Sequence, residues 1–466
     1  MISAPRNRAL RNPSPRSRLL PATTLALALV ATACGSDSDT AGEDGTVRLV
    51  VSIDAGLEQG AVDAFNERVA QFEAANDDVT VEVQEYTWTA TTFTAQLAGG
   101  TLPDVFTVPF TDGRGLIERR QVSDISGQVA ELPYGDSFNP TVVSAGTDDD
   151  GNVWAVPIAA YGQALHYNRT LFEEAGLDPD TPPTTWEEVR EAADTISEET
   201  GQAGYTMMTS GNTGGWILTS MNYAFGGRTE VLDGDDATAT IDTPEMAEAL
   251  ELVRTMRWED DSMGANFLYE WESINQDFSS GRIGMYVSGG GNYGNLVTQN
   301  AIDPDDYGVA ALPLADHPDA GVLGGGDLAV VRADAEPEVV DAGVRWIDFY
   351  YLAKLTDEEA SVLDARTLAE AGQPVGSPQL AVFDQETHEA KLGWQEEYVN
   401  VPLEQMTPYT DAMFEQPLVN EPTRSTQEVY ALLDPVVQAV LTDRDADVAA
   451  LLAEAEAAAQ AQIDRE

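Results

Sequence analysis

The chain has 466 residues and carries 80 Asp and Glu against 24 Lys and Arg, a formal net charge of −56 at pH 7. A field of that sign repels nucleic acid and anionic lipid, and it works against anionic ligands wherever no local basic group overrides it. A hydrophobic fraction of 43% is that of a globular protein with an acidic surface, which excludes a disordered acidic tail, and the length implies two domains or more. Only Lys354 and Lys391 are lysines, and the charge as a whole reads as a solvated surface.

From the N-terminus, residues 1–18 hold Arg6, Arg8, Arg11, Arg16 and Arg18 and no acid, and LLPATTLALALVATA at 19–33 is apolar. This is the shape of an export signal; with Pro21 inside it, the apolar run falls short of the ~20 residues needed to span a bilayer. Cys34 is the one cysteine, so it can close no intrachain disulfide, and no Cys/His cluster surrounds it to hold a metal. Ala31, Thr32 and Ala33 before it resemble the lipobox of bacterial lipoproteins, in which that cysteine is diacylated and becomes the first residue; Ala31 stands where the pattern prefers Leu. The expectation is a signal peptide at 1–33 and a lipid on Cys34. Residues 34–46 then form a flexible tether reaching roughly 20 Å, which holds the body at the outer face of the cell membrane.

Strand and helix signals then alternate. VRLVVSI at 47–53 is a β-branched run, and Val62, Phe65, Val69 and Phe72 recur on one helical face. Val79, Val81 and Val83 alternate with polar residues as in a half-buried strand, TTFTAQLAGG is a short helix closed by glycine, and LPDVFTV is a further strand. This order predicts an α/β domain with a largely parallel sheet, in which ligands bind at the carboxyl ends of the strands. Asp150–Gly151 between Thr147 and Val153 predicts a hairpin turn leading Trp154 into a strand. Asp148, Asp149 and Asp150 lack the terminal ligand of a calcium loop and read as a solvated turn. Thr184 with Glu187 predicts a capping box opening the helix WEEVREAADTI, with Trp186 as a packing residue. DVAALLAEAEAAAQAQIDRE predicts a closing C-terminal helix.

Four stretches together carry a family resemblance: LAGGTLPDVFTV (97–108), NVWAVPIAAYGQALHYNRTLFEEAGLDPDTPPTTWEEVREAA (152–193), FSSGRIGMYVSGGGNYGNL (278–296) and DYGVAALPLADHPDAGVLGGGDLAVV (306–331). In that order they resemble family 1 extracellular solute-binding proteins, the sugar receptors of ABC importers related to maltose-binding protein. The resemblance implies an α/β, two-lobed, periplasmic-binding-protein-like (type II) clamshell. Each lobe is then a mixed, mostly parallel sheet flanked by helices, with hinge crossings. Lobe one is expected at 47–157 and 308–352, lobe two at 158–307 and 353–466, with hinge strands at AVPIAA, DYGVAAL and WIDFYYLAKL. It implies a monomer that captures a small carbohydrate between the lobes and delivers it to permease subunits in the membrane, with no cofactor, no metal, no nucleic acid and no catalytic residue.

Sugar receptors stack aromatic rings on pyranose faces and satisfy hydroxyls with carboxylates and amides, because an unpartnered hydroxyl loses affinity on desolvation. By that logic lobe one is expected to contribute Asp54 and Glu58 after the first strand, Trp88, Asp104 in LPDVF and Phe110. Lobe two is expected to contribute Tyr161 and Trp216, the latter in the loop SGNTGGW. Gly291 and Asp327 stand where the family often has aromatic residues, so Asn292, Tyr293 and Asp327 become candidate contacts, and a small or polar sugar, an amino-sugar or a polyol fits better than a long maltodextrin. The rival class is a surface-tethered glycoside hydrolase with paired acids, which 80 carboxylates cannot exclude by composition. His166, His317 and His388 are scattered and read as structural, and no nucleophile-elbow or zinc-protease motif is present.

Overall fold

The computed structural model describes residues 46–57, 59–233 and 236–465. The expected signal peptide, Cys34 with its tether up to residue 45, and Glu58 lie outside the described residues.

Nine strands make one hydrogen-bonded sheet: β1 (Val47–Ile53), β2 (Val79–Glu85), β3 (Val105–Pro109), β4 (Ala155–Asn168), β5 (Ala203–Tyr205), β8 (Ile283–Gly289), β9 (Tyr307–Ala311), β10 (Val322–Val331) and β11 (Leu418–Asn420). β6 (Glu230–Asp233) and β7 (Asp236–Ala239) form a separate hairpin. Across the large sheet the order is β2-β1-β3-β10-β4-β8-β5, with β11 on β10 and β9 on β4. β1 runs parallel to both β2 and β3, as expected for strands joined by the helices Gln59–Ala75 and Ala90–Gly99.

The 14-residue β4 joins two half-sheets. Up to Gly162 it pairs antiparallel with β10, and from Gln163 it pairs with β8 and β9 instead. β9 therefore belongs wholly to the second half-sheet. The expected return at Gly308 is displaced, and the chain recrosses within 312–321, because Tyr307–Ala311 satisfies its backbone on Asn168–Ala164. The expected hinge strand in WIDFYYLAKL is helical: helix Pro337–Ile347 runs into a π-helical turn, Asp348–Leu352. Trp346 explains this, since its fully buried ring packs on Phe65, Phe72 and Tyr350, and that register holds the segment as a helix against the first half-sheet.

Local signals largely give the elements anticipated. Phe65, Val69 and Phe72 are the buried face of helix Gln59–Ala75. Asp148 organises the turn before β4, accepting from the amides of Asp150 and Asn152 and from the Trp154 indole at 2.9 Å. The Asn152 side-chain amide donates to it as well at 2.9 Å, and that bond above all, with the others, holds its carboxyl down at about 2. The capping box of helix Trp186–Thr200 sits one residue later than expected, on Thr185 and Glu188, and Trp186 packs on Phe225. The C-terminal helix Val448–Ile463 buries Leu452, Ala455 and Ala459, and Gln460 fastens it to β7.

Candidate binding cleft

Two cavities draw wall residues from the paired strands β10 and β4: Ile158 and Asp327 in one, Tyr161 in the other. The larger, about 470 Å³, is built on the carboxyl ends of β1 and β3 and is walled by Asp54, Thr87, Trp88, Asp327, Tyr350 and Tyr351. This is where a largely parallel half-sheet exposes unpaired strand ends to a ligand. Trp88 is held by Phe93 and lies parallel to Phe106 at 6.4 Å. Tyr350 and Tyr351 reach the cavity from the π-helical turn, their rings edge to face at 4.7 Å. Sequence reasoning missed these two tyrosines; the only signal was an aromatic pair inside a stretch already read as a crossing.

The second cavity, about 250 Å³, is walled by Tyr161, Asn212, Thr213, Trp216, Glu421 and Tyr430. Tyr161 meets Trp216 edge to face at 6.2 Å and donates to Glu421 at 3.2 Å, and Tyr430 donates to the same carboxylate at 2.9 Å. Burial pushes the Glu421 carboxyl up, while hydrogen bonds from Tyr430, Tyr161 and Trp216 pull it back down. Trp216 is not in a loop but in the first turn of helix Thr213–Ala224. Asp434 anchors that turn, accepting from the amides of Asn212 and Gly215 at 2.8 Å each. The glycines serve close packing: a Cβ on Gly215 would stand 2.2 Å from the Tyr430 carbonyl oxygen, so this helix can lie against helix Thr426–Thr442 only without one.

Register ties the two cavities together. Gly325 lies opposite Tyr161, and Asp327 lies opposite Ala159. Asp327 is exposed on the seam, yet the walls around it remove water, and with the nearby charge of Asp54 they hold its carboxyl above the usual carboxylate range. The negative charges of Glu421 and Asp327 add to burial in raising the Tyr161 phenol far beyond its ordinary value. Asp54, Trp88, Tyr161, Trp216 and Asp327 are thus brought into one region.

Four expected contacts are not in it. Asp104 is buried, accepting from Val50 N at 2.7 Å and from Arg332 Nε at 2.6 Å, so it pins β1 to the end of β10. Phe110 is core, and Gly326 explains its place: a Cβ there would stand 2.9 Å from the Phe110 ring and 2.1 Å from the Ala159 carbonyl oxygen. Asn292 is buried and donates to Asn275 and to the Tyr286 hydroxyl, both at 2.9 Å. Tyr293 is buried against Tyr307, ring centres 4.7 Å apart. All four are interior groups, and the Asn292 side-chain oxygen is buried without a hydrogen-bond partner. His166 is likewise interior, bonded to the Tyr307 hydroxyl and close to the Ser288 and Gly289 carbonyls.

Comparison with known proteins finds relatives and a matching fold. A putative binding protein of Brucella abortus (strain 2308) is 25% identical over 349 residues, 71% of this chain and 81% of the relative. The sn-glycerol-3-phosphate-binding periplasmic protein of Salmonella typhimurium is 25% identical over 222 residues, 46% of this chain and 48% of the relative. Among solved structures, the cyclic α-maltosyl-1,6-maltose binding protein of Arthrobacter globiformis superposes with a TM-score of 0.68 at 24% identity, covering 91% of this chain and all of that one. The fold is that of the two-lobed type II binding proteins. Residues 67–363 match the family described as bacterial extracellular solute-binding protein, and the chain belongs to that family.

Proposed function

We propose that the protein is the receptor of an ABC importer for a carbohydrate or related polyol, neutral or carrying an amine, bound between the lobes and delivered to a membrane permease. The observation that carries this is the chemistry of the cleft walls. Asp54, Asp327 and Glu421 stand among Trp88, Trp216 and four tyrosines, and among the described residues no Arg, Lys or His lines either cavity. Carboxylates and indole rings suit hydroxyls and sugar faces, whereas phosphate recognition draws on Arg and Lys. The amides opening helix Thr213–Ala224 are already taken by Asp434. A phosphate ester, the ligand named for the Salmonella relative, is therefore disfavoured here.

Ligand contact with both walls would favour the closed clamshell by differential affinity, with β4 and the π-helical turn as hinges. We place lobe one at 47–161 with β10 and the helix Pro337–Ile347, and lobe two at 163–311 with the C-terminal helices. The receptor acts as a monomer held to the outer face of the membrane by a lipid on Cys34. Family members bind solutes rather than convert them, and the glycoside hydrolase reading is set aside. The decisive experiment is native mass spectrometry and thermal shift of the purified protein against monosaccharides, oligosaccharides, polyols and sn-glycerol-3-phosphate. A carbohydrate that raises Tm and is recovered with unchanged mass is expected; cleavage of that carbohydrate, or stabilisation by the phosphate ester alone, would sink the reading. Replacing Cys34 by Ala is expected to release the protein from the membrane fraction into the medium, and retention there would refute the anchor.

A further inference from the structure

A third cavity, of about 310 Å³, lies against β4. It is walled by Ile158, Ala159 and Ala160 of β4, of which Ile158 also lines the cleft, and by residues between 354 and 395. Lys354 and Lys391, the only lysines of the chain, both line it, together with Asp364, Ser377, Gln379 and His388. Elsewhere, basic side chains commonly find carboxylates, as Arg190 does with Asp260 and Arg332 with Asp104. With 80 acids available, that is the default. Among the described residues, neither lysine has an ion pair or a hydrogen-bond partner, and Asp364 stands beyond ion-pair reach of both. The Ser377 hydroxyl is buried without a partner as well. Burial holds the Lys391 ammonium below its ordinary pKa, with Asp364 opposing and Lys354 adding to the shift. The His388 ring is pushed down to about 4, mainly by burial, so it is neutral at pH 7 and free to donate one N–H.

We propose that this cavity is a second binding site, for a compact oxyanion presented as a carboxylate or phosphate group, gripped by Lys354, Lys391 and the Ser377 hydroxyl and separate from the carbohydrate cleft. Two ammonium groups and an unpaired hydroxyl lining one chamber, beside the amide of Gln379 and the ring of His388, are what such an anion needs, because charge-assisted hydrogen bonds replace its hydration. The local pair overrides the acidic field of the whole molecule, and Asp364 limits how far. The proposal does not depend on the carbohydrate reading.

The test is calorimetry and thermal shift of the full chain with sodium phosphate and with sodium succinate, against sodium chloride at matched ionic strength. Matching matters because salt by itself relieves repulsion in so acidic a protein. Binding of at least one oxyanion beyond the chloride effect is expected; phosphate alone or succinate alone identifies the group. Lys391→Gln and Lys354→Gln should each weaken it about tenfold or more, Asp364→Asn should tighten it, and carbohydrate binding should be unchanged in all three. Lys354 is exposed, so that variant remains informative if Lys391→Gln fails to fold. A response equal to chloride, persistence in the double lysine variant, or displacement of the oxyanion by carbohydrate would overturn the proposal.

Discussion

Asp327 follows three glycines at the point where β10 meets both β3 and β4, and its surroundings hold its proton more tightly than the unfolded chain does. For an acid shifted upward, stability falls as pH rises through and above the ordinary carboxylate range. Asp327→Asn is therefore expected to raise the apo Tm slightly at pH 7, with the gain vanishing at acid pH, while weakening ligand binding about tenfold or more. Unchanged affinity would remove Asp327 from the cleft. Trp216→Ala is expected to cost about 1–3 kcal/mol of binding, read by calorimetry, with little change in fold because helix Thr213–Ala224 stays anchored through Asp434. The positions of Asp54 and Trp88 on a cavity wall follow from their places just past strands, whereas Tyr161 and Asp327 lie within β4 and β10 and reach the cavities through the pairing of those two strands. Asp104 and Phe110 flank β3 on its two sides and are both interior. Whether a residue flanking a strand turns out to the cleft or inward to an Arg332 or a Gly326 is decided by a chain segment more than 200 positions away.

Caps were readable at the level of elements, and register was not. The tandem Thr184–Thr185 offers two ways to begin one helix, and both residues end up bonded to Glu188. Thr185→Ala is expected to destabilise the protein by about 1 kcal/mol, checked by denaturant unfolding. Asp104→Ala breaks a largely buried pair that ties β1 to β10 and is expected to cost about 3 kcal/mol of stability while leaving the affinity of the folded protein intact. The π-helical turn Asp348–Leu352 could not be read, since FYYL carries the aromatic content of a strand. Packing of Trp346 and Tyr350 on Phe65 overrides that propensity and turns Tyr350 and Tyr351 toward the cleft.

At the scale of the whole molecule, a net charge of −56 predicts that neutral salt raises Tm through screening. Acid acts differently through His166, fully buried, with its pKa pushed down from 6.5 to about 4 by burial, against the pull of the Ser288 and Gly289 carbonyls. Between those values the unfolded chain binds a proton that the folded one refuses, so its contribution is complete above about pH 6.5 and is lost as pH falls, by about 3 kcal/mol at pH 4. The stability gap between the parent protein and His166→Gln should narrow by about that amount from pH 7 to pH 4, measured by denaturant unfolding at fixed salt. The sequence by itself determined the family, the alternation of strands and helices, the acidic surface and the expectation of an exported receptor, because periodicity, capping and ordered motifs are local properties. Only the tertiary structure decided where the chain recrosses between half-sheets, which aromatic residues face the cleft, and that the two lysines share one cavity. Those outcomes depend on contacts between residues far apart in the chain, and no local pattern carries that information.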